Sequence, residues 1–494
     1  MSTEVGTKRA ALLNILARYA SLGIQLVYTA VLSRLLTPED FGVVAIAQVF
    51  VTFFSTFSDM GVGSAVIQRR DLTPSDIRSL FAFSLLVGLG LGALFALAGV
   101  PIALVYSDGR LRGVCAALSV SLVFSTINTM PNALIMKEKR FVRIGIRQVA
   151  CALVSSVACI ALAMTGVGLY AITVYSGLSA LLLFAWNYSD RLIAPDFNLA
   201  RMRRSVSKIF GYSAYLLGFD VVNYFSRNLD NLLVGYFFGT AKLGNYSKAY
   251  QLMRLPQSYL TSVVTPVLHP MLADRQDDRA YIYEVFLKSV KMLSLLGVFI
   301  TVFCFFCADD IVSILYGPQW GEAAICFRLL AVSVWSQMVC GTSSTMFQVL
   351  NKTREQFARG VAIAVVIVSS ILVGVALGSL EAVALLVGVA YYIAFVTFLS
   401  FLIRKSFRRR VADFLRELLP DLLIAAVLSL YYALIGSVQL PLVGRFVFEA
   451  VSGGLLFLVL LVLFGQLRWF DALIPGSLRR VLAPLMRRSW KVGK

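Results

Sequence analysis

The sequence predicts an all-α integral membrane protein with about fourteen transmembrane helices, arranged as two parallel six-helix repeats (lobes) around a central cavity plus two extra C-terminal helices. Three observations support this prediction. Hydrophobic residues make up 59% of the 494 residues and charged residues only 14%, whereas soluble domains carry about 25% charged residues. The apolar residues form runs long enough to cross a bilayer. The basic residues are concentrated between these runs, in alternate loops.

The apolar runs define the spans. A transmembrane helix needs about 20 mostly apolar residues, and we divided the chain at charge clusters and Gly/Pro breaks. The first run follows Lys8 and Arg9, as in a signal peptide, but no small-residue cleavage site follows, so we expect it to be retained. The fourteen candidate spans are 10–36, 41–68, 79–105, 111–135, 144–166, 168–190, 209–239, 241–272, 284–308, 322–349, 360–379, 381–403, 414–436 and 443–465.

The loop charges predict the orientation of these spans. Cytoplasmic loops of membrane proteins carry an excess of Lys and Arg. If both termini are cytoplasmic, most of the 45 basic residues fall in inside segments, and the alternation holds to the end of the chain. The outside loops then carry only Arg110, Arg112, Lys242 and Arg445.

Two halves of the chain resemble each other. LTPEDFGVVAIA (36–47) resembles FGTAKLGNYSKA (238–249), and the loop MKEKRFVRIG shares a Phe-x-Arg motif with the loop NKTREQFARG. The residues of this motif are Phe141 and Arg143 in one loop and Phe357 and Arg359 in the other. The offset is six spans, so the halves have the same orientation, as in several alternating-access transporters. We therefore expect an N-terminal lobe at 1–208, a C-terminal lobe at 209–410, and two further spans with a basic cytoplasmic tail at 411–494.

The seventh span, FGYSAYLLGFDVVNYFSRNLDNLLVGYFFG (210–239), carries charged and amide side chains that suit neither lipid nor an apolar core. Their spacing places them on one face of a helix. One interpretation is that this face lines a water-filled cavity. The other is a closed network in which Arg227 neutralises itself against Asn223 and Asp230.

The charges inside other spans suggest the sign of a ligand. Bases outnumber acids there, which favours an anion, and the Arg guanidinium suits phosphate oxygens. Arg34 and Arg328 lie near span ends and could instead extend to the interface. The candidate substrate-binding residues are Arg18, Arg227, Lys248, Arg254, Asn223, Asp220 and Asp230.

Three prolines and one acid suggest moving or coupling elements. Pro256, Pro266 and Pro270 in the eighth span are candidate hinge residues. Asp59 lies beside a Gly-rich break in the second span. It could hold a coupling ion or proton, or it could make a structural hydrogen bond.

The sequence predicts no enzyme. It has a single histidine, no metal-ligand spacing and no nucleotide motif, so we expect no catalytic residue, metal or cofactor. The basic clusters alternate with membrane spans rather than forming one soluble face, which argues against a nucleic-acid partner. The enzyme alternative is a membrane-embedded glycan polymerase or ligase. Such an enzyme would be expected to have a large outside loop, and the segments near 106–111 and 309–321 are small.

One segment resembles a known family. The stretch LSRLLTPEDFGVVAIAQVFVTFFSTFSDMGVGSAVIQRRDLT (32–73) is similar to the N-terminal signature of the Wzx-type polysaccharide exporter (flippase) family, within the multidrug/oligosaccharidyl-lipid/polysaccharide superfamily. LGNYSKAYQLMRLP (243–256) and LYGPQW (315–320) also resemble that family, and the resemblance extends over the whole chain. The matching pieces of the first stretch are Arg34, 38–42, 59–61 and 67–69.

The resemblance implies alternating-access transport of a polyprenyl-pyrophosphate-linked oligosaccharide repeat unit. The unit would cross the bacterial inner membrane, from the cytoplasmic to the outer leaflet, during exopolysaccharide or lipopolysaccharide biosynthesis. The expected partners are this lipid-linked oligosaccharide, membrane lipids, and a polysaccharide polymerase with its co-polymerase. The rival within the superfamily is a MATE-like drug/ion antiporter, which would be expected to have an acidic cavity.

Two further details of this mechanism are expected. The lipid tail would stay in the bilayer, at a seam near the last two spans. The aromatic residues expected to contact sugars are Tyr212, Tyr215, Tyr224, Tyr246 and Tyr250.

Overall fold

The computed structural model describes residues 2–59, 62–69, 71–210, 213–273, 278–350, 352–436 and 440–470. These residues form α-helices joined by short loops, and no β-strand occurs among them. The chain divides into two compact units, Met1–Gly244 and Asn245–Lys494.

The described residues of the first unit form eight helices and the beginning of a ninth. The long helix α9 shows one non-helical residue, Gly239, whose φ is 84°. This break separates the predicted seventh and eighth spans. The helices are α1 (Ser2–Leu35), α2 (Pro38–Asp59), α3 (Val62–Gln68), α4 (Pro74–Val105), α5 (Arg110–Lys137), α6 (Phe141–Met164), α7 (Tyr170–Asp190), α8 (Leu199–Phe210) and α9 (Ser213–Ala273).

Where the structure describes it, the second unit contains the rest of α9 and nine further helices. A π-helical turn, Leu402–Ser406, extends one of them, and two 3₁₀ turns lie at Pro318–Trp320 and Gln466–Phe470. The helices are α10 (Arg279–Phe306), α11 (Ala308–Leu315), α12 (Gly321–Ala331), α13 (Val334–Cys340), α14 (Ser343–Val349), α15 (Thr353–Ala376), α16 (Leu380–Phe401), α17 (Val411–Ile435) and α18 (Leu442–Leu463).

The helices confirm the all-α membrane architecture. Within the described part of the chain, ten helices are long and apolar enough to cross a membrane, or eleven if the bent pair Pro318–Ala331 and Val334–Val349 counts as one span. The predicted first, seventh and eighth spans fall in α1 and α9, which are helical. Helices therefore occupy all fourteen predicted positions, while the number that cross the membrane stays a prediction.

One predicted span is not a single helix within the described residues. The tenth comprises α12, α13 and α14, with a bend of 49° between Pro318–Ala331 and Val334–Val349, whereas the second is described as α2 and α3 on either side of residues 60–61. Polar side chains bond back to the main chain at this bend. The Ser333 hydroxyl donates to the Leu330 carbonyl at 2.7 Å and the Ser336 hydroxyl to the Ser333 carbonyl at 2.8 Å. Such bonds compete with the helical ladder and bend helices.

The order of helix packing recurs in the two units. In the first, α4 packs on α5, α5 on α7, and α6 on α7. In the second, α10 packs on α12 and α13, these two on α16, and α15 on α16. The loops before α7 and α16 both contain a glycine with positive φ, Gly168 at 67° and Gly378 at 69°. This recurrence supports the internal repeat that the sequence predicts.

The first unit also contains a close crossing of repeat-related segments. A Cβ added at Gly42 of α2 would lie 1.8 Å from the Thr240 carbonyl oxygen, and one at Gly244 would lie 1.8 Å from the Pro38 carbonyl oxygen. In each case the contacted residue lies four positions before the other glycine. The contact is therefore reciprocal, like that of a two-fold interface, and it leaves no space for a side chain at either glycine.

Helices α17 and α18 are fixed to the second unit from both ends. The Lys291 ammonium donates to Asp421 of α17 and to the Glu417 carbonyl at 2.7 Å, and both charged side chains are 0% exposed. Near the other end, Arg445 of α18 forms an ion pair with the buried Asp310. An apolar cluster joins α10, α17 and α18 between these pairs. The sequence predicts Arg445 in an outside loop but gives no sign of either ion pair.

Candidate functional site

The first candidate surface is a polar face on α2. Gln48, Thr52 and Ser55 are exposed, although they lie inside a helix of membrane-span length. Their spacing of four and three residues places them on one side of the helix. The Gln48 amide donates to the Thr52 hydroxyl at 3.2 Å, and the Thr52 and Ser55 hydroxyls donate to main-chain carbonyls. Polar side chains within a membrane face water or protein rather than lipid, so this face is suited to a wet cavity.

The second candidate surface lies on α9 beyond Gly239. Arg254 and Ser258 are exposed there. Arg254 lies about 22 Å along the helix from Gly239, at 1.5 Å per residue, which is inside the roughly 30 Å thickness of the hydrocarbon layer. Its guanidinium lies 5.9 Å from the Tyr250 ring centroid, and the Tyr250 hydroxyl bonds the Tyr391 hydroxyl at 2.6 Å.

The two surfaces correspond through the repeat. Thr52 lies ten residues after Gly42, and Arg254 lies ten residues after Gly244. Each unit therefore carries an exposed polar side chain at the same position of its repeat, a hydroxyl in the first and a guanidinium in the second. Arg254 was predicted from the sequence, whereas Gln48, Thr52 and Ser55 were not. Their spacing, continued by Asp59, was the signal that could have revealed them.

Lys248 has a different environment from Arg254. Its side chain is 5% exposed, and its ammonium lies 5.1 Å from the Tyr316 ring centroid and 6.0 Å from that of Trp320. Such geometry is typical of a cation–π contact. In the described structure Lys248 is therefore held among aromatic rings, one turn or more before the exposed part of α9, and its predicted role in binding substrate stays a prediction.

The polar face of the seventh span is described only in its second part. Asp230 is buried and accepts hydrogen bonds from the main-chain and side-chain amides of Asn231, at 2.8 and 3.3 Å. The Asn228 amide donates to the Tyr224 carbonyl at 2.9 Å. The Tyr224 hydroxyl donates to the Val49 carbonyl of α2. This part of the seventh span thus satisfies most of its polar groups locally and against α2, whereas the buried Asn231 Oδ1 has no hydrogen-bond partner in the described structure.

For several predicted site residues the structure describes the backbone, which is helical, but not the side chain. Helix α9 continues through all three candidate hinge prolines, of which only the side chain of Pro256 is described. The predictions for the others therefore remain predictions. These others are Arg18, Asp59, Asp220, Asn223, Arg227, Pro266 and Pro270.

Two other predicted features can be placed. Arg328 forms an ion pair with Asp309, which favours a position at the end of its span, whereas Arg34 is exposed in the last turn of α1. Among the residues with described side chains, no group of His, Cys, Asp and Glu is arranged to hold a metal ion.

Comparisons with known proteins identify relatives over much of the chain. The sequence model of a family described as "Polysaccharide biosynthesis protein" matches residues 31–325. The Escherichia coli lipopolysaccharide biosynthesis protein WzxC is 26% identical over 344 residues, which are 67% of this chain and 68% of that protein. The Bacillus subtilis teichuronic acid biosynthesis protein TuaB is 24% identical, over 63% of this chain and 64% of its own length. The Rhizobium meliloti succinoglycan biosynthesis transport protein ExoT is 22% identical, over 67% and 66%.

Solved structures share the fold. The lipid II flippase MurJ, in an inward closed conformation, superposes with a TM-score of 0.73 at 15% identity, covering 94% of this chain and 100% of that one. An inward-facing multidrug resistance MATE transporter superposes with a TM-score of 0.60 at 17% identity, covering 78% and 94%. At these identities the likeness concerns the fold, which both flippases and drug transporters adopt. The chain spans about two thirds of the length of the curated relatives.

Proposed function

Because this chain belongs to the family of polysaccharide biosynthesis proteins, we propose that it is a flippase for a lipid-linked oligosaccharide. The cargo would be a repeat unit on polyprenyl pyrophosphate, and the membrane would be the bacterial inner membrane, with both termini cytoplasmic. The relatives that support the proposal act in lipopolysaccharide, teichuronic acid and succinoglycan biosynthesis, by their names. The flippase fold of MurJ is consistent with it.

The single observation that carries the proposal is the exposed Arg254 at membrane depth. A charged side chain at the centre of the bilayer costs about 2.5–3.5 kcal/mol on insertion scales, and Arg254, roughly three quarters of the way through the hydrocarbon layer, is expected to bear part of this cost. An exposed cation at this depth is therefore expected to face water, where it can meet an anionic group. A guanidinium binds phosphate oxygens with two parallel hydrogen bonds, which suits the pyrophosphate of the cargo.

The remaining polar groups suit the sugars. Gln48, Thr52 and Ser55 offer an amide and two hydroxyls on one face of α2, and Tyr250 offers an aromatic ring beside Arg254. Amides and hydroxyls both donate and accept hydrogen bonds, as sugar hydroxyls do. Binding and movement of the cargo need no covalent step, so we propose that the polar face of α2 and the surface around Arg254 each contribute to transport. Rocking of two lobes about a cavity is the cycle that the sequence predicts.

The antiporter alternative fits these groups less well. A site for cationic drugs would be expected to present acids. On the described part of α9 between Gly239 and Leu260, however, the exposed charged side chain at membrane depth is that of Arg254. The described acid of the seventh span, Asp230, is buried. A polysaccharide polymerase and its co-polymerase would act on the cargo after transport.

Transport can be tested in reconstituted vesicles. Purified protein is placed in liposomes with a fluorescent polyprenyl-pyrophosphate oligosaccharide, and a membrane-impermeant quencher reports the leaflet that the label occupies. Wild type should equilibrate the label between leaflets, and Arg254→Gln should slow this by about tenfold or more, as expected for loss of a hydrogen bond to a charged group. The matched control is Arg328→Gln, since Arg328 is paired with Asp309. Equal rates for wild type and Arg254→Gln would contradict the role of Arg254.

A further inference from the structure

Three cations surround one aromatic ring in the second unit. The Arg359 guanidinium carbon lies 3.6 Å from the Phe401 ring centroid. The ammonium groups of Lys352 and Lys405 each lie 5.7 Å from the same centroid. The Lys352 ammonium also donates to the Lys405 carbonyl at 3.2 Å. Phe401 is buried, whereas Lys405 is exposed. Three positive charges therefore lie close together at a partly exposed site.

Among the described side chains, no carboxylate forms an ion pair with this group. Within the described part of the second unit, ion pairs form at other cations, such as Lys291 and Arg445, and none forms at Lys352, Arg359 or Lys405. Glu355, one turn before Arg359, acts on it electrostatically without forming an ion pair. The three like charges around this ring repel one another, so a bound anion would stabilise the cluster.

The repeat-related position in the first unit has a carboxylate partner. Arg143, the counterpart of Arg359, pairs with Asp190 at 3.4 Å, and Arg147 pairs with the same carboxylate at 2.6 Å. Asp190 is the last residue of α7, and Phe401 is the last residue of α16. The second unit therefore has an aromatic ring where the first has an acid. This replacement distinguishes the two halves and is specific to this end of the second unit.

Two further features favour a ligand here. The Arg359 Nε atom is buried and has no hydrogen-bond partner in the described structure, and the same holds for the Ser406 hydroxyl. One terminal nitrogen of Arg359 donates to the Thr397 carbonyl at 3.3 Å. Residues 402–406 form a π-helical turn directly after Phe401, and such turns occur frequently at functional sites.

We propose that Lys352, Arg359 and Lys405 bind a phosphate-bearing anion beside Phe401. Arg359 supplies planar donors beside the ring, and the two lysines supply point charges 5.7 Å from its centroid. The anion has two sources with the same chemistry: the headgroup of an anionic phospholipid, or a free phosphate or pyrophosphate. The site lies in a predicted cytoplasmic loop region and does not depend on which molecule the protein transports.

Binding measurements on purified full-length protein test this site. Calorimetry with inorganic pyrophosphate measures the free-anion source. Native mass spectrometry from nanodiscs of phosphatidylglycerol or phosphatidylcholine measures the lipid source. The variants are Arg359→Gln and the double variant Lys352→Gln/Lys405→Gln. The matched control is Arg404→Gln, which removes the same charge from an exposed side chain of the same turn.

The results distinguish the two sources of the anion from each other and from a failure of the proposal. One saturable site in wild type, weakened about tenfold or more in both variants and unchanged in Arg404→Gln, supports the proposal. Retention of phosphatidylglycerol alone identifies a lipid headgroup, and binding of pyrophosphate alone identifies the free anion. If neither probe saturates, or if Arg404→Gln weakens binding as much as Arg359→Gln, the proposal is wrong. If Arg359→Gln does not elute as a single species, the double lysine variant decides.

Discussion

The buried pair Lys291–Asp421 gives the sharpest prediction of stability. Both side chains are 0% exposed, and the pair joins α10 to α17. The second carboxylate oxygen of Asp421 accepts from the Ser294 hydroxyl at 2.6 Å, which in turn accepts from the Trp335 indole at 2.9 Å. Asp421→Asn keeps the shape of the side chain but leaves the Lys291 charge buried without a counter-charge.

The magnitude follows from what remains after the substitution. Removing one partner of a buried ion pair costs about 3–5 kcal/mol, which corresponds to roughly a hundredfold or more in the folding equilibrium. Replacing both partners by apolar residues of similar volume removes the buried charge as well and is often neutral or stabilising. We therefore expect Asp421→Asn to be strongly destabilised and Lys291→Met/Asp421→Leu to be close to wild type.

The assay is unfolding of the purified protein in detergent by increasing denaturant, followed by circular dichroism. The matched control is Arg416→Gln, whose side chain is 82% exposed and should show no measurable change. Two results would refute the reasoning. Asp421→Asn could unfold at the wild-type midpoint, or the double variant could be no more stable than the single one.

Two further predictions concern the first unit. Gly42→Ala places a Cβ 1.8 Å from the Thr240 carbonyl oxygen, and overpacking of this kind costs about 1–3 kcal/mol of stability. The control is Gly90→Ala, whose Cβ meets open space. Equal unfolding midpoints for the two variants would contradict the close crossing. The Arg110 guanidinium, hydrogen-bonded to Asp108, holds the pKa of that loop carboxyl below its usual range. Its contribution to stability is therefore present above the ordinary pKa of about 4 and is lost as pH falls through the lowered value. Asp108→Asn should flatten this acid dependence in thermal unfolding, and an unchanged profile would contradict it.

Much of the fold could be predicted from the sequence because membrane spans are local features. Hydropathy and charge place α4 at 79–105, and the helix is Pro74–Val105. The additional first turn belongs to a capping box, in which Thr73 and Asp76 each accept from the other's main-chain N–H. The repeat was visible because short motifs such as Phe-Gly and Leu-Gly recur at its corresponding helix starts.

Long-range pairing could not be predicted in this way. The pairing of Lys291 with Asp421 is one example, because the two residues lie 130 positions apart in the sequence. Lys248 and Arg254 were grouped as equals by charge, and only the structure separates a cation among aromatic rings from an exposed one. Among the buried charges within spans, Glu449 reduces the intramembrane excess of positive charge, whereas Asp421 is balanced by Lys291.

The most direct measurement of the central claim is the leaflet in which lipid-linked repeat units accumulate in cells lacking this protein. Spheroplasts are treated with a membrane-impermeant glycan label, with wild type, Arg254→Gln or Arg328→Gln supplied in trans at matched membrane levels. We predict that the units stay inaccessible in the deletion strain and with Arg254→Gln, and become labelled with wild type and Arg328→Gln. Units that reach the outer leaflet in the deletion strain and remain unpolymerised would contradict the flippase and favour a polymerase.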